Sequence, residues 1–139
     1  MNDPLIASAK AASNGLFAQS TRMRVLSENI ANSETTGKTP GADPYQRKTI
    51  SFESVADQAD NVDLVQVGEI GRDTAAFRAE YMPGHPAADE KGYVKLPNID
   101  MLTELADMRE ASRSYTANTQ VIKQVRELVS MTIDLLRPS

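Results

Sequence analysis

The sequence predicts a mainly α protein: two long helices, one at each end of the chain, with a small β-hairpin and loop module between them. Three observations predict it. Apolar residues recur in heptad steps near both ends. Five of the seven prolines and six of the seven glycines fall between residues 33 and 99, where long helices are therefore excluded. Short β-rich runs punctuate the same stretch. The chain divides accordingly into 1–32, 33–99 and 100–139.

The first helix begins at Asp3-Pro4, where a carboxylate can cap free N–H groups and proline loses no bond that would otherwise form. Leu5, Ala9, Ala12, Leu16, Gln19, Met23, Leu26 and Ile30 then form a heptad seam in which only Gln19 is polar. Running from Pro4 to about Asn32, the helix would be roughly 40 Å long. Asn32-Ser33, Thr35-Thr36-Gly37 and Pro40-Gly41 end it.

In the middle, residues 46–52 alternate so that Gln46, Lys48, Ile50 and Phe52 share one face. Val62 to Val67 and Phe77 to Met82 are likewise β-rich, and Gly71-Arg72-Asp73 sits where a hairpin could turn. Pro83 to Pro86 and Asp89 to Gly92 read as turns that return the chain to the second helix. That helix follows Pro97, with Asn98 or Asp100 as its cap. Its seam runs through Met101, Leu105, Met108, Ala111, Tyr115, Asn118, Ile122, Val125, Val129, Thr132 and Leu136, stopping at Arg137-Pro138. The result is a rod of about 50 Å or more.

Composition narrows the function. The 139 residues carry 40% apolar and 24% charged side chains and a net charge of −4 without any basic block, which argues against nucleic acid or an anionic membrane surface as partner. Without cysteine there is no disulfide, thiolate nucleophile or Cys-based metal site. The first twenty residues lack the unbroken apolar core of a cleavable secretory signal, and no run of about 18 apolar residues could span a bilayer.

Catalytic chemistry is sparse. His85 is the only histidine and lies in a proline-flanked segment read as an exposed turn. Thr36 to Gly41 resembles the tail of a phosphate-binding loop, yet Asn32 stands where the upstream glycine belongs and a helix ends where one should start. Asp57, Asp60 and Asp63 lack the glycine and distal glutamate of a calcium loop and read as a solvated acidic face. No catalytic residues, cofactor or metal are expected. A small enzyme or metal protein built on His85 and the three aspartates is the weakest of three readings.

The helices themselves say more. From Pro4 to Asn32 there are only four charged residues, and the off-seam positions hold Ser8, Ser13, Asn14, Ser20, Thr21, Ser27 and Asn29. A helix bathed in water normally displays Lys and Glu outwards. Ser114 to Ile122 is also uncharged. A chain this short cannot cover two such rods with its own surface. Neighbouring subunits are expected to do so, and contacts between unlike surfaces propagate as a helix of subunits unless they close into a ring. A cytosolic coiled-coil adaptor that closes as a dimer is the alternative.

"LSENIANSETTG", then "PYQRKTISFE", then "YMPGHPAADEKGYVKLPNIDMLTELADMREASRSYTANTQVI" resemble the bacterial flagellar basal-body rod proteins, most closely the C-type proximal rod protein. The most specific parts are Asn29 to Asn32, Gly92 to Asn98 and Ser112 to Asn118. The stretch Thr36 to Tyr45 is longer than in other rod and hook relatives, and its closing Pro-Tyr favours the C-type over the B-type. The resemblance implies a structural protein in which the terminal helices pair as an inner coiled coil and subunits stack into a hollow drive shaft. It further implies a periplasmic position, reached through the flagellar type III export apparatus without leader cleavage. Copies of the chain, the B-type and F-type proximal rod proteins, the distal rod and the rod-to-MS-ring adaptor would be partners. Asn29, Asn32 and Asn118 would hydrogen bond to backbone at helix crossings, unless Asn32 is only a helix cap and Asn118 only a register-fixing seam residue.

Overall fold

Both helix starts are built as their aspartates predict. In the computed structural model, which describes residues 3–137, Asp3 Oδ1 accepts the Leu5 N–H at 2.9 Å. α1 then runs Pro4–Ala31. Of the two cap candidates for the second helix, Asp100 is the one used. Its Oδ1 accepts the Leu102 N–H at 3.1 Å and its Oδ2 accepts the Thr103 hydroxyl at 2.7 Å. Those bonds, the Thr103 hydroxyl foremost, hold the Asp100 carboxyl below the usual carboxylate range. The last helix of the described chain, α2, spans Met101–Leu136. Of the expected Arg137-Pro138 stop, Pro138 lies outside the described residues.

Between the helices come β1 (Lys48–Asp57), β2 (Val62–Arg72), β3 (Arg78–Tyr81) and β4 (Tyr93–Leu96). β1 pairs with β2 and β3 with β4, giving two two-stranded sheets. The protein is therefore mainly α with a small β module. The expected turn at Gly71-Arg72-Asp73 is not where the hairpin turns: Gly71 and Arg72 close β2, and the reversal lies at 58–61. Two local features place it there. Asp57 Oδ1 accepts the Ala59 N–H at 3.0 Å, and Asn61 adopts a φ of 50°, a left-handed value that asparagine tolerates better than most residues.

β4 was not foreseen. It pairs antiparallel with β3, Tyr93 opposite Tyr81 and Leu96 opposite Arg78. The two tyrosine rings meet edge to face with centroids 5.3 Å apart. Gly92, at a φ of 86°, makes the approach possible, since a Cβ there would lie 2.8 Å from the Tyr81 ring.

The chain forms two compact units, each containing stretches of both helices and of the β1–β2 hairpin. The first takes in α1 up to Met23, the hairpin from Ser51 to Gly68 and α2 from Glu110 onward. Its buried residues are Ala12, Gly15, Ala18, Leu64 and Ala111. The second comprises Arg24–Ile50 and Glu69–Arg109, with Val25, Leu26, Ala87, Val94, Pro97 and Ile99 buried around three polar side chains, Asn29, Ser33 and Glu104.

Candidate functional site

Full burial of an amide and a carboxylate in so small a unit requires that every polar atom be matched. Asn29 and Glu104 both have 0% exposure, and both are matched. Asn29 stands on the last full turn of α1. Its Oδ1 accepts the Lys48 N–H at 2.9 Å and its Nδ2 donates to the Lys48 carbonyl at 2.9 Å. The second Nδ2 proton goes to Glu104 Oε2 at 3.1 Å, and the Tyr45 hydroxyl donates to Oδ1 at 3.1 Å. Both donors and both acceptor positions of the amide are thus engaged.

Glu104 reaches this point because Asp100 starts α2 one turn earlier. Its Oε1 accepts from Arg47 Nε at 2.5 Å. Arg47 also lies 3.5 Å from Asp73 Oδ2 through Nη1, and its backbone N–H is received by Asn98 Oδ1 at 2.9 Å. Asn98 in turn donates to the carbonyls of Asp73 and Ala75, each at 3.1 Å. Burial works against the Arg47 cation, but the Glu104 hydrogen bond and the charges of Glu104 and Asp73 outweigh it, so its pKa is raised. Burial raises the Tyr45 hydroxyl.

On the flank, Glu28 joins Lys48 Nζ at 2.5 Å and Arg24 Nη1 at 2.8 Å. The Lys48 bond is the main reason its carboxyl sits below the ordinary range. These groups tie the end of α1, the entry to β1, the segment after β2 and the first turn of α2 to one another. Their acids and bases are committed to one another, an arrangement that holds backbone rather than transforms a substrate.

The polar run after Ala31 caps α1. Asn32 Nδ2 donates to the Glu28 carbonyl at 2.7 Å, Ser33 Oγ to that of Ile30 at 2.9 Å, and Thr35 Oγ1 to that of Asn32 at 2.9 Å. Each adds a second hydrogen bond to a carbonyl that already receives a backbone N–H, from Asn32, Ser33 and Thr35 respectively, and so reinforces the closing turns.

In the first unit, Asn118 packs its side chain against Gly15, where an added Cβ would be 2.6 Å from Asn118 Nδ2. Arg22 and Glu110 form an ion pair at 3.5 Å. Along α1 the buried positions are Ala12, Gly15, Ala18, Val25, Leu26 and Asn29, while Leu5, Ala9, Leu16, Met23, Ile30 and Asn32 are half-buried. Along α2, Met108, Asn118, Ile122 and Val125 are half-buried, and Met101, Leu105, Tyr115, Val129 and Leu136 are exposed.

The aspartate trio is not a wholly solvated face. Asp57 and Asp60 both pair with Lys10, and only Asp63 points to solvent. His85 is half-buried rather than exposed, its Nδ1 accepting the Ala87 N–H at 3.1 Å within the turn. Sequence reasoning named Asn29, offered Asn98 only as a cap candidate and gave no role to Tyr45, Arg47 or Glu104. One signal was available for Glu104, which shares a helix face with Met101, Met108 and Ala111.

Two family models match the chain. "Flagella basal body rod protein" covers residues 10–37 and "Flagellar basal body rod FlgEFG protein C-terminal" covers 90–135. The flagellar basal-body rod protein FlgC of Agrobacterium fabrum is 58% identical over 137 residues, 99% of each chain. The chain belongs to the FlgC family of flagellar basal-body rod proteins. FlgC of Escherichia coli O157:H7 is 38% identical over 125 residues, 89% of this chain and 92% of the relative. FlgC of Aquifex aeolicus is 38% identical over 124 residues, 88% and 90% of the two chains. As a member of the FlgC family, this is a structural protein of the flagellar basal-body rod and not an enzyme. Asn29 falls within the first family match and Asn98 and Glu104 within the second.

Proposed function

We propose that the protein is a subunit of the proximal rod, stacking helically into the shaft that transmits motor torque across the periplasm and encloses part of the export channel. In this reading residues 1–32 and 100–139 form the inner coiled coil through the seam named above, and 33–99 form the outer module. Its neighbours are copies of itself, the B-type and F-type proximal rod proteins, the distal rod and the rod-to-MS-ring adaptor. The chain arrives through the type III export apparatus. Among the described residues no helix is long and apolar enough to cross a membrane.

The observation that carries this reading is the surface of α2. Leu128, Met131, Ile133, Leu135 and Leu136 are exposed on its last turns, Leu135 to 86%, a larger apolar display than a solitary chain keeps. Many helix hydroxyls are already spent internally: Ser8 on the Pro4 carbonyl, Thr116 on that of Ser112, Thr119 on that of Tyr115 and Thr132 on that of Leu128. A hydroxyl bonded to its own helix can be covered by a partner without stranding a donor. The approach of Asn118 to Gly15 supports pairing of the helices in the same way.

Circular dichroism of the purified chain, alone and mixed with other proximal rod proteins, tests the proposal. Helix signal should rise on mixing, and the chain should be located in images of isolated basal bodies at the proximal rod. Full helicity alone, indifferent to those partners, would overturn it. A cytosolic dimer, by contrast, predicts a fixed twofold mass at all concentrations, and membership of the rod family gives that reading no support.

A further inference from the structure

A two-stranded ribbon is at best marginally stable on its own, and the outer half of the β1–β2 hairpin has little apolar hold. Ser51 to Ala56 are all exposed, and Leu64 is the one fully buried residue between Val62 and Gly68. On one side of the turn the ribbon does not pack closely at all. A cleft of about 420 Å³ opens there, lined by Pro4, Ala7, Ser8 and Ala11 of α1 and by Asp60, Asn61 and Val62.

Beside this cleft, which Asp60 lines, a single cation sits between two anions. Lys10 Nζ pairs with Asp57 Oδ2 and lies 3.0 Å from Asp60 Oδ2. Asp57 has a second task, since its Oδ1 receives the Ala59 N–H and closes the turn. Each carboxylate is largely covered, with 16% and 22% of its side chain exposed against 40% for the lysine. Pairing with Lys10 holds the Asp57 carboxyl down, and pairing with Asp57 holds the Lys10 ammonium up.

We propose that Lys10 is a latch: its ammonium group, shared by Asp57 and Asp60, fixes the tip of the β1–β2 hairpin to the first turns of α1. Releasing it frees residues 51–68 while the network around Asn29 keeps its structure. The inference concerns the chain itself and does not depend on where in the rod it sits. Ionic strength gives the latch a signature, because part-exposed ion pairs weaken as salt screens them.

Hydrogen exchange on the full-length chain, read by mass spectrometry, tests the latch through peptides covering 51–68 and, as an internal reference, 93–104. Lys10→Met should accelerate exchange in 51–68 about two- to tenfold, with 93–104 unchanged. Lys10→Arg should stay close to the parent. Asp60→Asn, which leaves one anchor, should fall between them and guards against a variant that folds poorly. Raising salt should speed 51–68 in the parent and do little in Lys10→Met. Unchanged exchange at 51–68 in Lys10→Met would overturn the latch. So would an equal rise in both peptides, which would make Lys10 a general support of the fold.

Discussion

The Asn29 side chain and the Lys48 peptide group face each other as two amides do in a sheet, with one hydrogen bond in each direction, both 2.9 Å. A helix side chain thereby serves as the neighbour that the first residue of β1 would otherwise lack. This single contact couples the end of α1 to the start of the hairpin, and through Glu104 it reaches the first turn of α2.

Asn29→Ala removes the side-chain partner of the Lys48 N–H and carbonyl, of the Tyr45 hydroxyl and of Glu104 Oε2, while Glu104 Oε1 keeps Arg47. The expected loss of unfolding free energy is about 2–4 kcal/mol, since buried groups stripped of partners bear their full desolvation cost. Asn29→Asp should be worse despite its similar shape, because it replaces a donor with a second carboxylate facing Glu104. Urea denaturation of the three proteins measures both effects. Equal stability of Asn29→Asp and the parent would refute the assigned bonding.

Arg47→Ala should cost about 3–5 kcal/mol by leaving the Glu104 charge buried and unpaired. Removing both charges, as in Arg47→Met with Glu104→Leu, should cost much less than the sum of the single changes. The double-mutant cycle reads this coupling directly. Strict additivity would mean the two residues do not act together.

At Gly15 two effects oppose each other. Alanine improves helix propensity by about 1 kcal/mol, but its Cβ meets Asn118 Nδ2 at 2.6 Å. Gly15→Ala should therefore yield little or lose stability on its own, whereas Gly15→Ala combined with Asn118→Ala should recover most of the propensity gain. Thermal melts of the two single variants and the double variant decide it, and a full gain from Gly15→Ala alone would show that the contact is loose.

Stability should be level from about pH 5.5 to 9 and fall on both sides. Glu28, Asp57 and Asp100 titrate below the ordinary glutamate and aspartate values of 4.5 and 3.8. Their contribution is full above those values and is lost as pH drops through the lower folded-state values. Tyr45 and Lys10 titrate above 10.0 and 10.5, so theirs is full below those values and fades as pH climbs through the higher folded ones. Melting temperature across buffers at constant ionic strength checks the shape. A protein that gained stability below pH 4 would contradict it.

Local chemistry was legible residue by residue. Asp3-Pro4 and Asp100 announce helix starts because a cap bonds to backbone two or three positions away, and nothing distant can alter that. The heptad spacing gave the helices their length for the same reason. The hairpin turn was misplaced because Gly71-Arg72-Asp73 and 58–61 offer comparable turn residues, and the choice between them depends on which stretches find a partner strand. β4 went unnoticed because four residues carry no period; only β3 alongside makes them a strand.

What the sequence by itself determined is where the two helices begin and end, and, through its motifs, the family to which the chain belongs. Tertiary structure alone decided that Glu104 is buried, that Arg47 meets it from 57 residues away and that Lys10 is held by Asp57 and Asp60. The reason is physical: a cap is fixed by neighbours along the chain, whereas a buried charge is tolerable only where folding delivers its counterpart.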